Sequence, residues 1–400
     1  MFLQSLFDEA ARRMASGDRN GAARLYAQIQ GAALAGPEAA LQEIGILLSR
    51  MPEQAPGRSQ ALLAEGMALR RLNRLPEAVR KFDQALLAEP GLIEGWFQRG
   101  IVQDELGHRE DAVASYDRAL QLQPGNFAVI NNRAATLMKM KRFAEAASGY
   151  RQMDALSPGN VIALNGLAGA AAQACDWSRH EEYLSRMRAL VMAGRSEIQP
   201  GTLIAYHDEP ALQKACAANY FRSLHLASGP PRWRASGRKP FSGEKIKLAY
   251  CSADFHSHPV SRLLVRMFEC HDRDRFEVHA VSFAPDDRSA MRARLLKAFD
   301  HFHDMLTGSD EETAALMAGL GIDIAVDLMG YTTRSRPGIF TRRPAPVQVN
   351  YMGYAGTVAA DFCDYIIGDA IVTPFAHQPF FSEKIVQLPD TYMATDDRRA

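Results

Sequence analysis

Four prolines, Pro56, Pro90, Pro124 and Pro158, stand 34 residues apart each time. A fixed period of this length is the mark of a repeat architecture, in which each unit buries its apolar face only against its neighbours. Other positions keep the same beat. Gly66 and Gly100 share an offset with Ala134, Ala78 and Ala112 with Ala146, Phe82 and Tyr116 with Tyr150, and Ala85 and Ala119 with Met153. Units therefore run at about 59–92, 93–126 and 127–160, and a fainter one at about 3–36 keeps Ala22 and Tyr26 in the small and aromatic slots. Residues 37–52 read as an extra helix that breaks the period.

This pattern resembles the tetratricopeptide repeat, a helix–turn–helix in which small residues let the two helices approach and an aromatic fills the gap between neighbours. The organisation expected is a degenerate N-terminal repeat over 1–52, then repeats with a capping helix pair over 53–194. The cap would start at Val161 and turn at Cys175-Asp176-Trp177, because terminal repeats are usually atypical. Residues 195–244 follow as a helical bridge and linker, with a basic patch of Arg232, Arg234, Arg238 and Lys239.

The period changes at Lys245. Apolar strand candidates (Ile246–Cys251, Phe276–Phe283, His301–Met305, Ile322–Met329, Val347–Met352, Asp364–Val372, Lys384–Leu388) now alternate with helical segments. That order predicts a mostly parallel sheet with helices on both faces, an α/β domain over 245–400. Neither GxGxxG nor GxxxxGK[ST] occurs, so neither a dinucleotide fingerprint nor a P-loop is present.

In such sheets ligands bind outside the carboxyl ends of strands. Three loops answer that description: Asp254–Pro259 with His256 and His258, Asp327–Thr332 followed by Arg334 and Arg336, and Tyr351–Thr357. Asp254 and His258 are a carboxylate and an imidazole on one turn, suited to proton transfer or hydrogen bonding; alternatively Asp254 only caps the helix that starts at Pro259. Gly330, Gly353 and Gly356 would let backbone approach a ligand closely. His301-x-His303 also has the look of a metal pair, but alternation with Asp300 and Asp304 fits an exposed strand edge, and the spacing offers no third ligand.

Composition narrows the classes. Lys+Arg and Asp+Glu both number 46, and no block of like charge argues for nucleic acid. No stretch approaches a membrane span, and the charged N-terminus does not read as a signal peptide. Five scattered cysteines without a CxxC pair predict a reduced, cytoplasmic protein.

The segments AYCSADFHSHPVSRLL, DLMGYTTRSRPGIFTRRPAPVQVNYMGYAGT and DFCDYIIGDAIVTP, after tandem repeats, resemble the protein O-GlcNAc transferase and SPINDLY family over about 59–390. The resemblance implies an inverting transfer of a sugar, N-acetylglucosamine before fucose or glucose, from a UDP-sugar to Ser or Thr of proteins presented by the repeats. It implies no metal or other cofactor and leaves self-association open, while charge balance and hydropathy argue for neither nucleic acid nor membrane as partner. The fold it implies is a helical repeat superhelix followed by the Rossmann-like N-terminal half of a two-half catalytic domain (GT-B).

By motif match, Asp254 and His258 fall on the family's SDFxxHP segment and carry the catalytic expectation. Pro259, Tyr331, Arg336, Met352, Gly353, Tyr354, Gly356 and Thr357 fall on segments that line the substrates. Ala355 replaces the family's Pro, and Gln199-Pro200-Gly201 stands where a further family His would be. The family's second half, with the lysine that neutralises the departing diphosphate, would begin near Ala400, so the chain reads as a fragment or a truncated relative. The alternative function is a repeat scaffold for protein partners with an inactive transferase remnant. The family's asparagine-lined concave surface is thin here: Gln98 and Asn132 occupy the corresponding slot, while Ala64 and Gly166 do not.

Overall fold

The computed structural model describes residues 2–195, 198–236 and 244–398. The chain divides into two compact units, one up to Trp177 and one from Ser178 on. In the first unit the 34-residue beat becomes helix pairs: Arg58–Arg71 with Leu75–Ala88, Ile93–Glu105 with Arg109–Leu122, and Phe127–Lys139 with Phe143–Leu156. Phe2–Ala15 and Arg19–Ala35 form the fainter pair, and Pro37–Arg50 is the extra helix.

The small slots are small because the aromatics lie against them. A Cβ added to Gly66 would fall 2.4 Å from the Phe82 ring, and one on Gly100 would fall 2.5 Å from Tyr116. In the third unit Ala134 holds the small slot, and Tyr150 leans on Gly166 of the next helix, where a Cβ would lie 2.4 Å from the ring. The turn inside each pair is also periodic. Asn73, Gly107, Lys141 and Cys175 take φ of 58°, 85°, 60° and 53°. The geometry, not the residue, is what recurs: Asn73 tolerates it, while Lys141 and Cys175 each bear roughly 1–2 kcal/mol of left-handed strain. The expected capping pair is divided, for Val161–Ala174 belongs to the first unit and His180–Met192 to the second.

In the second unit, helices His180–Met192, Pro200–Ile204 and Pro210–Ser223 precede the sheet. Arg232 and Arg234 of the basic patch lie in a 3-10 turn, while Arg238 and Lys239 lie outside the described residues. The strands are β1 (Ile246–Ser252), β2 (Phe276–Ser282), β3 (His301–Asp304), β4 (Ile324–Asp327), β5 (Val347–Tyr351), β6 (Tyr365–Gly368) and β7 (Lys384–Gln387). They form one seven-stranded sheet, ordered β3-β2-β1-β4-β5-β6-β7, with every neighbouring pair parallel.

Alternation along the strands gives each face its own core. Leu248, Tyr250, Val278, Ala280 and Val326 pack with Leu264 and Phe268 of the helix Pro259–Glu269. Ala249, Cys251, Val281 and Ala325 pack with Ala314 and Met317 of the helix Asp310–Leu320. The strand expected over Asp364–Val372 stops at Gly368 because Asp369 turns the chain. Its carboxylate accepts from the amides of Ile371 (2.9 Å) and Val372 (2.8 Å), and its carbonyl accepts from Thr373 (3.0 Å). Among the described residues no helix is long and apolar enough to cross a membrane.

Candidate active site

The strand order reverses between β1 and β4, and such a switch point opens a crevice outside the carboxyl ends of the two strands. The three loops singled out in the sequence leave the carboxyl ends of β1, β4 and β5, which are adjacent in the sheet. They interlock. Met329 Sδ accepts from Ser252 Oγ (3.4 Å) and from the Ala253 amide (3.3 Å), tying the second loop to the first. A Cβ on Gly353 would lie 2.0 Å from the Leu328 carbonyl oxygen, and one on Gly330 2.6 Å from Tyr354 Cβ, so the second and third loops meet through their glycines. Gly330 also sits at φ 54°.

On the first loop, Asp254 is fixed through its backbone. Its amide donates to Ser252 Oγ (2.9 Å), and its carbonyl accepts from Ser261 Oγ (2.5 Å) and from the His256 amide (2.7 Å). The residue that caps the helix Pro259–Glu269 is His258, not Asp254. His258 is extended (φ −133°, ψ 150°), and its Nδ1 accepts from the Val260 amide at 3.3 Å, with Pro259 exposed in the first turn. The carboxylate of Asp254 is thereby left for other work, with Oδ2 3.4 Å from His258 Nδ1. In a neutral ring that accepts at Nδ1, the hydrogen is on Nε2.

Burial raises the Asp254 carboxyl above its ordinary value, against the pull of His258, His256 and Arg334, whose charges lower it. His256 moves down, first through burial and then through the neighbouring His258. A carboxylate whose proton affinity is raised by burial is a better base near neutral pH than an exposed one.

On the second loop, Asp327 is buried beneath the backbone and accepts from the amides of Met329 (2.9 Å) and Gly330 (3.2 Å). Burial raises its carboxyl to about 7, although those two amides work the other way. Tyr331 is buried and donates its hydroxyl to the Val358 carbonyl at 2.7 Å. Arg336 is occupied as a clasp: it donates to Asp310 (2.7 Å) and to the carbonyls of Met305 (3.0 Å) and Gly308 (2.7 Å), and it stacks over Phe283. Its neighbour Arg334, exposed at φ 66°, is the arginine whose charge is felt at Asp254.

On the third loop, Met352 is half-buried at φ 68° and Gly353 packs on the second loop. Tyr354 and Gly356 are buried, and Asn350 donates to both of their carbonyls at 3.2 Å. Thr357 is buried and donates to Glu383 Oε2 (2.5 Å), while Glu383 Oε1 accepts from the Val358 amide (2.7 Å). The structure therefore gathers Asp254, His258, Met352 and Gly353 on half-open positions of the rim, with Pro259 exposed beside them. Tyr331, Tyr354, Gly356 and Thr357 lie beneath as its support.

Residues not singled out from the sequence complete that support. Asn350 was legible as a polar residue inside a buried strand; Glu383, fully buried, left no local signal. Two buried polar atoms here, Tyr354 Oη and Asn350 Oδ1, have no hydrogen-bond partner among the described residues.

The family model for glycosyl transferase family 41 matches residues 174–400, and a tetratricopeptide-repeat model matches the middle unit, residues 93–126. The probable UDP-N-acetylglucosamine–peptide N-acetylglucosaminyltransferase SEC of Arabidopsis thaliana is 29% identical over 234 residues, covering 56% of this chain and 24% of the relative. The UDP-N-acetylglucosamine–peptide N-acetylglucosaminyltransferase of Caenorhabditis elegans is 31% identical over 237 residues, covering 56% of this chain and 20% of the relative. A solved mutant of the Thermobaculum terrenum O-GlcNAc transferase superposes with a TM-score of 0.58 at 24% identity, covering 84% of this chain and 58% of that one. At that identity the likeness speaks to the fold alone. The chain thus spans about a quarter of the length of the curated relatives it matches.

Proposed function

Because the chain belongs to glycosyl transferase family 41, we propose that it carries the acceptor-side part of a site that moves N-acetylglucosamine from a UDP-sugar to Ser or Thr hydroxyls of proteins. The observation that supports this most directly is the Asp254–His258 pair on the turn after β1, at the switch point of the sheet. In the step we write, the acceptor oxygen attacks the anomeric carbon and the bond from that carbon to the diphosphate oxygen breaks, its electron pair leaving with UDP. The hydroxyl proton passes to Asp254, directly or through a water. His258, fixed through Nδ1, offers Nε2–H to a sugar or phosphate oxygen. This transfer calls on no metal and no other cofactor.

Glycines 330 and 353 hold the rim in place by letting backbone pack on neighbouring loops, so Met352 and Gly353 present main chain to the sugar. The repeats would hold the acceptor protein. Side-chain capture by the repeats has a narrow base, since Gln98 already donates to Glu94 (2.7 Å) and Asn132 to the Ala128 carbonyl (2.8 Å). Five free cysteines fit the reducing cytoplasm, where we place the protein.

The test is transfer of labelled sugar from UDP-N-acetylglucosamine to a Ser/Thr peptide by the protein as the cell makes it. Labelling that is present in wild type and lost in Asp254→Asn supports the reading. Labelling of the peptide that is unchanged in Asp254→Asn and His258→Ala together overturns it.

A further inference from the structure

The histidines on the far edge of the sheet take no part in that site. β3 pairs with β2 so that His301 stands opposite His279, while Glu277 lies two residues before His279 on the same face of β2. His303 is thus not the partner that His301 needs: the neighbouring strand supplies two candidate ligands, Glu277 and His279, which with His301 make three. His279 Nε2 is 3.0 Å from Glu277 Oε1, and His301 Nε2 is 3.3 Å from the same oxygen. All three ligand atoms lie within 4.8 Å of one another. A tetrahedral zinc ion with bonds near 2.1 Å separates its ligand atoms by about 3.4 Å, close to the two separations from Glu277 Oε1, 3.0 and 3.3 Å.

We propose that Glu277, His279 and His301 form a binding site for a borderline divalent transition-metal ion, Zn2+ in the first instance. The surroundings have the form such sites take. A ligating histidine is usually oriented by a hydrogen bond from its other ring nitrogen. Here His279 Nδ1 is 3.1 Å from His303 Nε2, and His279 itself is 1% exposed. A metal on Nε2 would set the His279 hydrogen on Nδ1, donated to His303. Glu277 also faces Lys247 on β1, whose Nζ is 3.6 Å from Oε1 and is held by the Leu320 carbonyl at 3.1 Å. His301 is more than half exposed, with its side chain at 52%, so the fourth position opens to water.

The site is not the transfer site. Glu277 and His301 stand near the amino ends of their strands, whereas Asp254 follows the carboxyl end of β1. Bound metal would clamp the four-residue edge strand β3 to β2.

The experiment uses the untagged chain, titrated with Zn2+ by calorimetry and with Co2+ by visible absorption. Wild type is expected to take up one equivalent, with Co2+ bands of a four- or five-coordinate nitrogen–oxygen site. His301→Ala, exposed and so benign to the fold, and Glu277→Gln should each weaken that uptake by about 100-fold or more, as loss of one of three ligands. His303→Ala should weaken it about 10–100-fold, as loss of an orienting partner. Circular dichroism confirms that each variant is folded. Wild type without a saturable one-equivalent signal overturns the site, and so does His301→Ala binding as tightly as wild type.

Discussion

The carboxylate of Asp254 is the group whose removal separates chemistry from architecture. In Asp254→Asn the backbone bonds to Ser252, Ser261 and His256 remain, because they use the amide and carbonyl of residue 254. The cap of the following helix remains too, since it is made by His258. A capping bond is worth about 1 kcal/mol, and in a unit of roughly 150–250 residues that moves Tm by about 2–4 °C. Asp254→Asn should therefore leave Tm within this margin at neutral pH, while His258→Ala should lower it by about that amount.

The pH dependence has a definite sign. The folded carboxyl is raised, so its contribution to stability is full below the ordinary value of 3.8 and is lost as pH rises through the folded value. Asp254→Asn removes that loss and flattens this part of the profile. Activity should behave oppositely, falling by about 10²–10⁴ if the carboxylate takes the acceptor proton. Paired measurements of thermal unfolding and sugar transfer read both quantities. Full transfer by Asp254→Asn would refute the assignment of the base. A Tm loss equal to that of His258→Ala would refute the separation of base from cap.

Other outcomes follow from the same geometry. Gly353→Ala places Cβ 2.0 Å from a backbone oxygen that cannot swing away, so it should cost several kcal/mol or displace the loop, read by denaturant unfolding and by loss of transfer. Asp327→Asn should abolish a stability loss that wild type shows as pH rises from about 4 through about 7, because the buried carboxyl is raised to about 7 and favours folding only while protonated; identical wild-type and variant profiles would remove Asp327 from that account. Ala112→Asp buries an unpaired charge at a position with no exposure and should destabilise the repeat unit by several kcal/mol, so an unchanged melt would contradict the packing of that helix pair.

Much of this protein could be read from residue order alone. The repeat needed only Pro, Gly, Ala and an aromatic recurring at fixed offsets, because neighbouring units present the same gap to be filled. The parallel sheet followed from apolar runs alternating with helical segments, since strands buried on both faces leave that trace. The turn carrying Asp254 and His258 was visible because a Pro marks the helix start just after it.

Tertiary structure decided what no local pattern encodes. His258 became the cap because an extended backbone at that residue aims Nδ1 at the Val260 amide, and side-chain direction is absent from spacing. Arg336, matched in sequence to a substrate-lining loop, was claimed by Asp310 and two carbonyls that are its neighbours only in space. Tyr150 fills the gap toward the next helix through Gly166, a contact that lies outside its own unit. Glu277 and His279 joined His301 through strand register, which depends on pairing between segments separated by a whole helix. Local propensity sets each element. The contacts that turn elements into sites are long-range, and the sequence states only one side of each.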